Sequence, residues 1–197
     1  MLRKHIKVEP LRWYYHCDRL GMLVWQDMIN GGGQYNPAVI SAPLVTGIHL
    51  SDKNHRLFAR GDMEGRVQYA TELNEMIELL YNCPCIAMWV PFNEGWGQFD
   101  TRKVVDFTRE KDPTRLINPA SGGNFAFCGD IQDCHHYPQP AMNAIEGKFV
   151  NVLGEYGGIG YPVEGHLWKQ DKNWGYGDVM HSQKELMDRY EEFAELL

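Results

Sequence analysis

Residues 85–92 read Cys-Ile-Ala-Met-Trp-Val-Pro-Phe, continuously apolar, and the run then stops at Asn93-Glu94. A strand is apolar on both faces only where both faces are covered, as in a parallel sheet flanked by helices. This run therefore commits the chain to an α/β arrangement more firmly than any other stretch. It also sets an amide and a carboxylic acid side by side at its C-terminal end. A second apolar run likewise delivers a glutamate, at Val152-Leu153-Gly154-Glu155-Tyr156.

The remaining elements alternate around these two. Leu2 to Ile6 reads as a short strand. Pro10 opens a helix with Leu11, Tyr14 and Tyr15 on one face, and Gly21 closes it. Met22 to Asp27 is a strand, and residues 28–60, with Gly31-Gly32-Gly33, read as a long loop-rich connection of the kind that usually carries function. Leu73, Met76, Ile77 and Leu80 recur at i, i+3, i+4 and i+7, which predicts a helix. Phe99 to Lys111 is a helix stopped by Asp112-Pro113. Leu116–Asn118, Ile131–His135 and Phe149–Leu153 are short strands, and a last helix carries Leu186, Tyr190, Phe193 and Leu197 on one stripe.

Strand–helix alternation implies a parallel sheet with right-handed crossovers. His5, Asp27, Asn93-Glu94, Asn118, His135-His136-Tyr137 and Glu155-Tyr156 all fall just after strands. In a (β/α)8 barrel that end is the catalytic face. A doubly wound sheet also binds ligands at strand ends, but at one crevice. Neither Gly31–Gly33 nor the glycines of 157–160 fit a dinucleotide fingerprint.

Net charge is −7 with pI ≈ 5.6, which argues against nucleic acid or an anionic membrane as partner. No apolar stretch reaches the roughly 18–20 residues that span a bilayer. Met1-Leu2-Arg3-Lys4-His5 is basic but lacks a following apolar region, so no signal peptide is visible and a cytoplasmic location is expected. The cysteines (17, 83, 85, 128 and 134) are odd in number and irregularly spaced, which favours reduced thiols over a disulfide framework. Cys128, Cys134, His135 and His136 match no common zinc spacing, and neither metal nor cofactor is expected.

Two carboxylic acids at strand ends fit the hydrolysis of a glycosidic bond. That reaction needs a proton donor for the leaving oxygen and a carboxylate that attacks the anomeric carbon or activates water. Glu94 sits between Phe92 and Trp96, where partial desolvation would favour its protonated form and suit an acid. Glu155 lies beside Tyr156, and a hydroxyl aimed at a carboxylate favours the ionised form of a nucleophile. A single glutamate after a strand is more often a helix cap or a surface charge; a pair flanked by aromatics is more specific. Trp25 and Trp89, inside strands, read as core, whereas Trp96, Trp168 and Trp174 fall in loops, where stacking on a sugar ring is one use for them.

At these residues the chain resembles the catalytic barrel of glycoside hydrolase family 2, the family of bacterial β-galactosidases, β-glucuronidases and β-mannosidases. The resemblance runs over nearly the whole chain, read as one partial domain spanning 1–197. It is carried by Arg3-Lys4-His5, Tyr15 to Gly21, Val24-Trp25-Gln26-Asp27, Trp89 to Glu94, Asp133 to Pro138 and Gly154 to Gly157. It implies a TIM barrel and a retaining mechanism with Glu94 as acid/base and Glu155 as nucleophile. Asn93 would bond the sugar 2-hydroxyl, and Tyr137 would stand near the nucleophile. Substrate contacts are further expected at His5, Asp27, His136 and Trp96. The magnesium ligands of the better-known β-galactosidases are not recognisable. Aligned in this way the barrel is incomplete, with strands two to seven present and strands one and eight missing. The chain is therefore expected to be a piece of a longer polypeptide, or to self-associate. The partner is a β-linked glycoside or oligosaccharide; the other outcomes are a carbohydrate-binding or vestigial barrel without turnover, or a different barrel glycosidase of the same clan.

Overall fold

The structure, a computed structural model, describes residues 1–142, 147–170 and 173–197, without the side chains of residues 44 and 45. The chain divides into two compact units. The first holds Met1–Asp133 and a segment that ends at Asn151; the second holds a segment that begins at Cys134, and Val152–Leu197.

The first unit opens with β1 (Leu2–Lys4), α1 (Leu11–Leu20) and β2 (Val24–Asp27). Gly21 ends α1 in the left-handed conformation, at φ 65°. The buried face of this helix is Tyr14 and Cys17, while Leu11 and Tyr15 are exposed, unlike the face expected from the sequence. The reason is polar: the Tyr14 hydroxyl donates to the buried Gln26 Oε1 at 2.6 Å, which turns that side chain inward. Next comes α2 (Pro37–Thr46), inside the stretch read as loop. Asn36 caps it by accepting from Ala38 N at 3.0 Å, and Pro37 occupies its first turn.

The helix α3 (Met63–Leu80) buries Leu73, Met76, Ile77 and Leu80, as the periodicity predicts, and adds Tyr69. It leads into β3 (Ile86–Val90), and Pro91 separates β3 from β4 (Phe92–Asn93). Proline cannot donate to a ladder. Here its carbonyl is taken by the Tyr69 hydroxyl at 2.6 Å, and the Tyr69 ring stacks on Phe92 at 5.2 Å between centroids. Then follow α4 (Thr101–Lys111), β5 (Leu116–Ile117) and β6 (Ala120–Ser121).

The strands β1-β2-β3-β5 form one parallel sheet, and β4 and β6 a second parallel pair. In register, Arg3 lies beside Trp25, Asp27 beside Val90, Trp89 beside Ile117, and Asn93 beside Ser121. Trp89 is fully buried, and its indole Nε1 donates to Asp112 Oδ2 at 2.9 Å. Asp112 also receives Arg115 Nη1 at 2.6 Å and the Thr114 hydroxyl at 2.6 Å. Burial pushes the Asp112 carboxyl up, but these donors outweigh it and hold the group at about 2.

The last elements are β7 (Ile131–His136), β8 (Val150–Tyr156) and α5 (Gln183–Glu195), with β7 paired to β8. Within the second unit, Ser182 caps α5 by accepting from Glu185 N at 3.2 Å. The expected apolar stripe of this helix is only partly covered. Phe193 is buried, Tyr190 is exposed, and Leu186, Tyr190 and Phe193 line a groove of about 390 Å³ with Tyr156 and Ile159. The cysteines are thiols, not disulfides. Among the described residues, no helix is long and apolar enough to cross a membrane.

Candidate active site

In the first unit the parallel strands deliver their polar residues at one end. Arg3, on β1, donates through Nε to Asp27 Oδ1 at 3.1 Å and through Nη2 to Asp27 Oδ2 at 2.9 Å. The same Nη2 donates to Asn93 Oδ1 at 2.8 Å. Asp27 is 1% exposed and also accepts from Ile6 N at 3.2 Å. Burial raises its carboxyl above the ordinary range, and the Arg3 guanidinium works against that rise. With its oxygen taken by Arg3, the Asn93 amide turns Nδ2 toward His5 Nε2, 3.4 Å away. His5 itself is exposed.

Glu94 follows directly. Its N–H donates to Ser121 O at 2.8 Å, so the β4–β6 ladder continues through its backbone. Its φ of 51° lies in the left-handed region, which side chains other than glycine's occupy at a cost, and Gly95 follows at φ 79°. Such backbone tends to collect at functional sites. The adjoining Ser121 hydroxyl donates to Asp133 Oδ2 at 2.6 Å, and Asn118 Nδ2 reaches the same oxygen at 2.7 Å. Trp96 meets the loop after β2, where its Nε1 donates to Gly33 O at 3.0 Å.

The second unit builds its cluster around Glu155. The Tyr137 hydroxyl donates to Glu155 Oε2, and His135 Nε2 lies 3.6 Å from Oε1. The hydroxyl that meets Glu155 thus comes from Tyr137 and not from its chain neighbour Tyr156, which lines the groove beside α5. Alternation along a strand explains this, because residues 155 and 156 point to opposite faces. The same rule separates His135, buried near Glu155, from His136, which is exposed and hydrogen-bonded through Nδ1 to Gln139 O at 2.6 Å. The Tyr137 ring stacks on Tyr176 at 4.0 Å between centroids, and Trp174 meets Tyr176 edge-on at 5.0 Å. Gly158 makes room for this: a Cβ there would lie 2.5 Å from the Tyr176 ring.

Of the residues singled out in the sequence, Asn93, Glu94, Asp27, His5 and Trp96 lie in the first unit; Tyr137, His136 and Glu155 lie in the second. Sequence reasoning passed over Arg3, His135 and Tyr176 as site residues. Arg3 and His135 stand within the stretches Arg3-Lys4-His5 and Asp133 to Pro138, whereas nothing local in the sequence marks Tyr176.

The family model described as "Glycosyl hydrolases family 2, TIM barrel domain" matches residues 8–156. The chain belongs to glycosyl hydrolase family 2. As a member of that family it has the α/β content and parallel strands of the TIM-barrel domain. Among solved structures, a β-D-glucuronidase from Dictyoglomus thermophilum is similar with a TM-score of 0.62 and 16% identity, over 99% of this chain and 35% of that one. A β-glucuronidase from an uncultured Clostridium sp. gives a TM-score of 0.49 and 14% identity, over 68% of this chain and 22% of that one. The Parabacteroides merdae β-glucuronidase gives 0.37 and 21%, over 58% of this chain and 13% of that one. This family 2 chain therefore spans about a third or less of each of these structures. Comparison with curated proteins gives no match.

Proposed function

We propose that this family 2 chain carries the two catalytic carboxylates of a retaining β-glycosidase. Glu155 attacks the anomeric carbon and forms a glycosyl ester. Glu94 protonates the leaving oxygen and then, as a carboxylate, takes a proton from the water that hydrolyses the ester. Asn93 donates to the sugar 2-hydroxyl. On the same reading the strands correspond to strands two to seven of the barrel, and a retaining enzyme needs its two carboxyl groups about 5–5.5 Å apart.

The observation that carries this reading is the hydrogen bond from Tyr137 to Glu155. A hydroxyl that donates to a carboxylate orients it and stabilises its charge, as a nucleophile needs. Support on the acid side is the left-handed backbone of Glu94, beside an Asn93 amide whose orientation is set by Arg3. His5, Asp27, His136 and Trp96 remain proposed contacts or supports of the sugar. The likeness to the Dictyoglomus enzyme makes β-glucuronides the first substrates to try, ahead of β-galactosides and β-mannosides. A reading as a carbohydrate-binding chain without turnover draws on the chain spanning 35% of that enzyme.

Trapping separates the two. Incubation with 2-deoxy-2-fluoro glycosides of these sugars, followed by peptide mass spectrometry, is expected to leave one glycosyl label on Glu155. A folded chain that takes no label from any of them favours binding without turnover.

A further inference from the structure

In the first unit, the loop after β2 and the loop that carries Glu94 are bonded into one ledge. Asn30 Nδ2 donates to Asn93 O at 3.1 Å, and Asn30 Oδ1 accepts from Gly31 N at 2.9 Å. Trp96 Nε1 donates to Gly33 O, and Gly33 N donates to Ala59 O at 2.8 Å. Gly97 N donates to Phe58 O at 2.8 Å, and Arg60 Nε reaches Gly97 O at 3.3 Å. The contact between the loops is backbone against backbone: a Cβ at Gly97 would lie 2.0 Å from Gly31 O.

Two aromatic rings stand on this ledge. Trp96 and Tyr35 have centroids 5.8 Å apart and planes inclined at 56°, and they are 37% and 44% exposed. The only polar atom of the indole is satisfied by Gly33, so what Trp96 offers solvent is hydrocarbon. The benzo end of its ring rests against Gly31, where a Cβ would lie 3.7 Å from Cη2. A large aromatic left in water forgoes about 25 cal/mol for each Å² it could bury. Two of them, inclined to each other beside a hydrogen-bonded loop, make an apolar corner, the kind of surface that Trp and Tyr supply at binding sites.

Position gives the corner its ligand. An acid that protonates a leaving oxygen has the leaving group beside it, and Trp96 follows Glu94 by two residues. We propose that the Trp96–Tyr35 corner is a subsite for the leaving group and that it takes the flat apolar face of a ring, either pyranose or aryl. The inference rests on the reading of Glu94 as the acid/base.

The test uses the whole chain and non-hydrolysable probes: methyl 1-thio-β-D-glucuronide, phenyl 1-thio-β-D-glucuronide, and a thio-linked disaccharide with glucose in the leaving position. Binding is followed by NMR titration. The phenyl probe is expected to bind about threefold to tenfold more tightly than the methyl probe, the scale of one aromatic contact. The disaccharide arm shows whether a pyranose earns the same gain. Trp96→Ala should bring the ratio to within about twofold of one, Trp96→Phe should keep part of it, and the exposed Tyr35→Ala should lower it without loss of fold. A wild-type ratio near one, an equal loss for all probes in Trp96→Ala, or no binding of any probe overturns the subsite. Labelling of Glu155 is scored separately. A ring preference that depends on Trp96 without any label keeps the subsite and removes the catalytic reading; a label without ring preference does the reverse.

Discussion

Arg3 grips Asp27 with two parallel hydrogen bonds, Nε to Oδ1 and Nη2 to Oδ2. Paired forks of this kind fix orientation as well as charge. Asp27→Asn keeps the shape but leaves Arg3 without its counter-charge. Urea unfolding is expected to show a loss of about 1–2 kcal/mol, what the charged hydrogen bonds contribute less the cost of keeping the buried Asp27 carboxylate ionised. An unchanged midpoint would mean that the fork adds nothing to the fold.

Asp112 gives the acid limb of stability. Its folded value, about 2, lies below the ordinary 3.8, so the folded state holds its proton less tightly than the unfolded chain does. The resulting stabilisation is fully present above about pH 4 and is lost as pH falls from 4 toward 2. That shift corresponds to about 2 kcal/mol. Asp112→Asn should flatten this limb, read from unfolding free energies at a series of pH values.

The left-handed backbone at Glu94 predicts an unusual mutant. Glu94→Gly relieves a conformation that costs a side-chain residue about 1–2 kcal/mol, while Glu94→Ala does not. The glycine variant should be more stable than the alanine variant by about 1 kcal/mol, although both lose the acid. Equal melting temperatures would argue that the site holds no backbone strain.

Glu94→Ala also has a kinetic signature. Substrates with poor leaving groups should slow far more than activated aryl glycosides, and azide should rescue the activated ones. Equal losses on both would remove the acid/base role.

Tyr137→Phe deletes one donor to Glu155 and keeps the ring stacked on Tyr176. Inactivation by the 2-deoxy-2-fluoro glycoside should slow by about tenfold to a hundredfold, the scale of a hydrogen bond to a charged group. A rate within twofold of wild type would mean that the hydroxyl is not used.

Elements that bury a regular pattern were legible in the sequence. The helix through Leu73 and Leu80 stands where its periodicity puts it, and the strand through Trp89 within the continuous apolar run. The helix from Pro37 to Thr46 was not, because its apolar residues follow no helical period and Pro43 interrupts it; the signal was Asn36-Pro37, a cap and a first-turn proline. Glu94 and Glu155 could be picked out because each closes a mainly apolar run. The Arg3–Asp27–Asn93 cluster joins residues up to 90 positions apart, and no local pattern encodes such a meeting. The choice between Tyr137 and Tyr156, or His135 and His136, depended on strand alternation, which a list of neighbours in the chain does not respect.

The close approach of Gly31 and Gly97 has a consequence for how such chains diversify. A side chain at 97 has no room while the β2 loop keeps its course, so neither loop can be exchanged by itself. The two loops are built as one unit. Redesign for a new leaving group would have to transplant residues 29–35 together with 93–97, and a swap of either segment alone should yield misfolded loops before it yields a new preference.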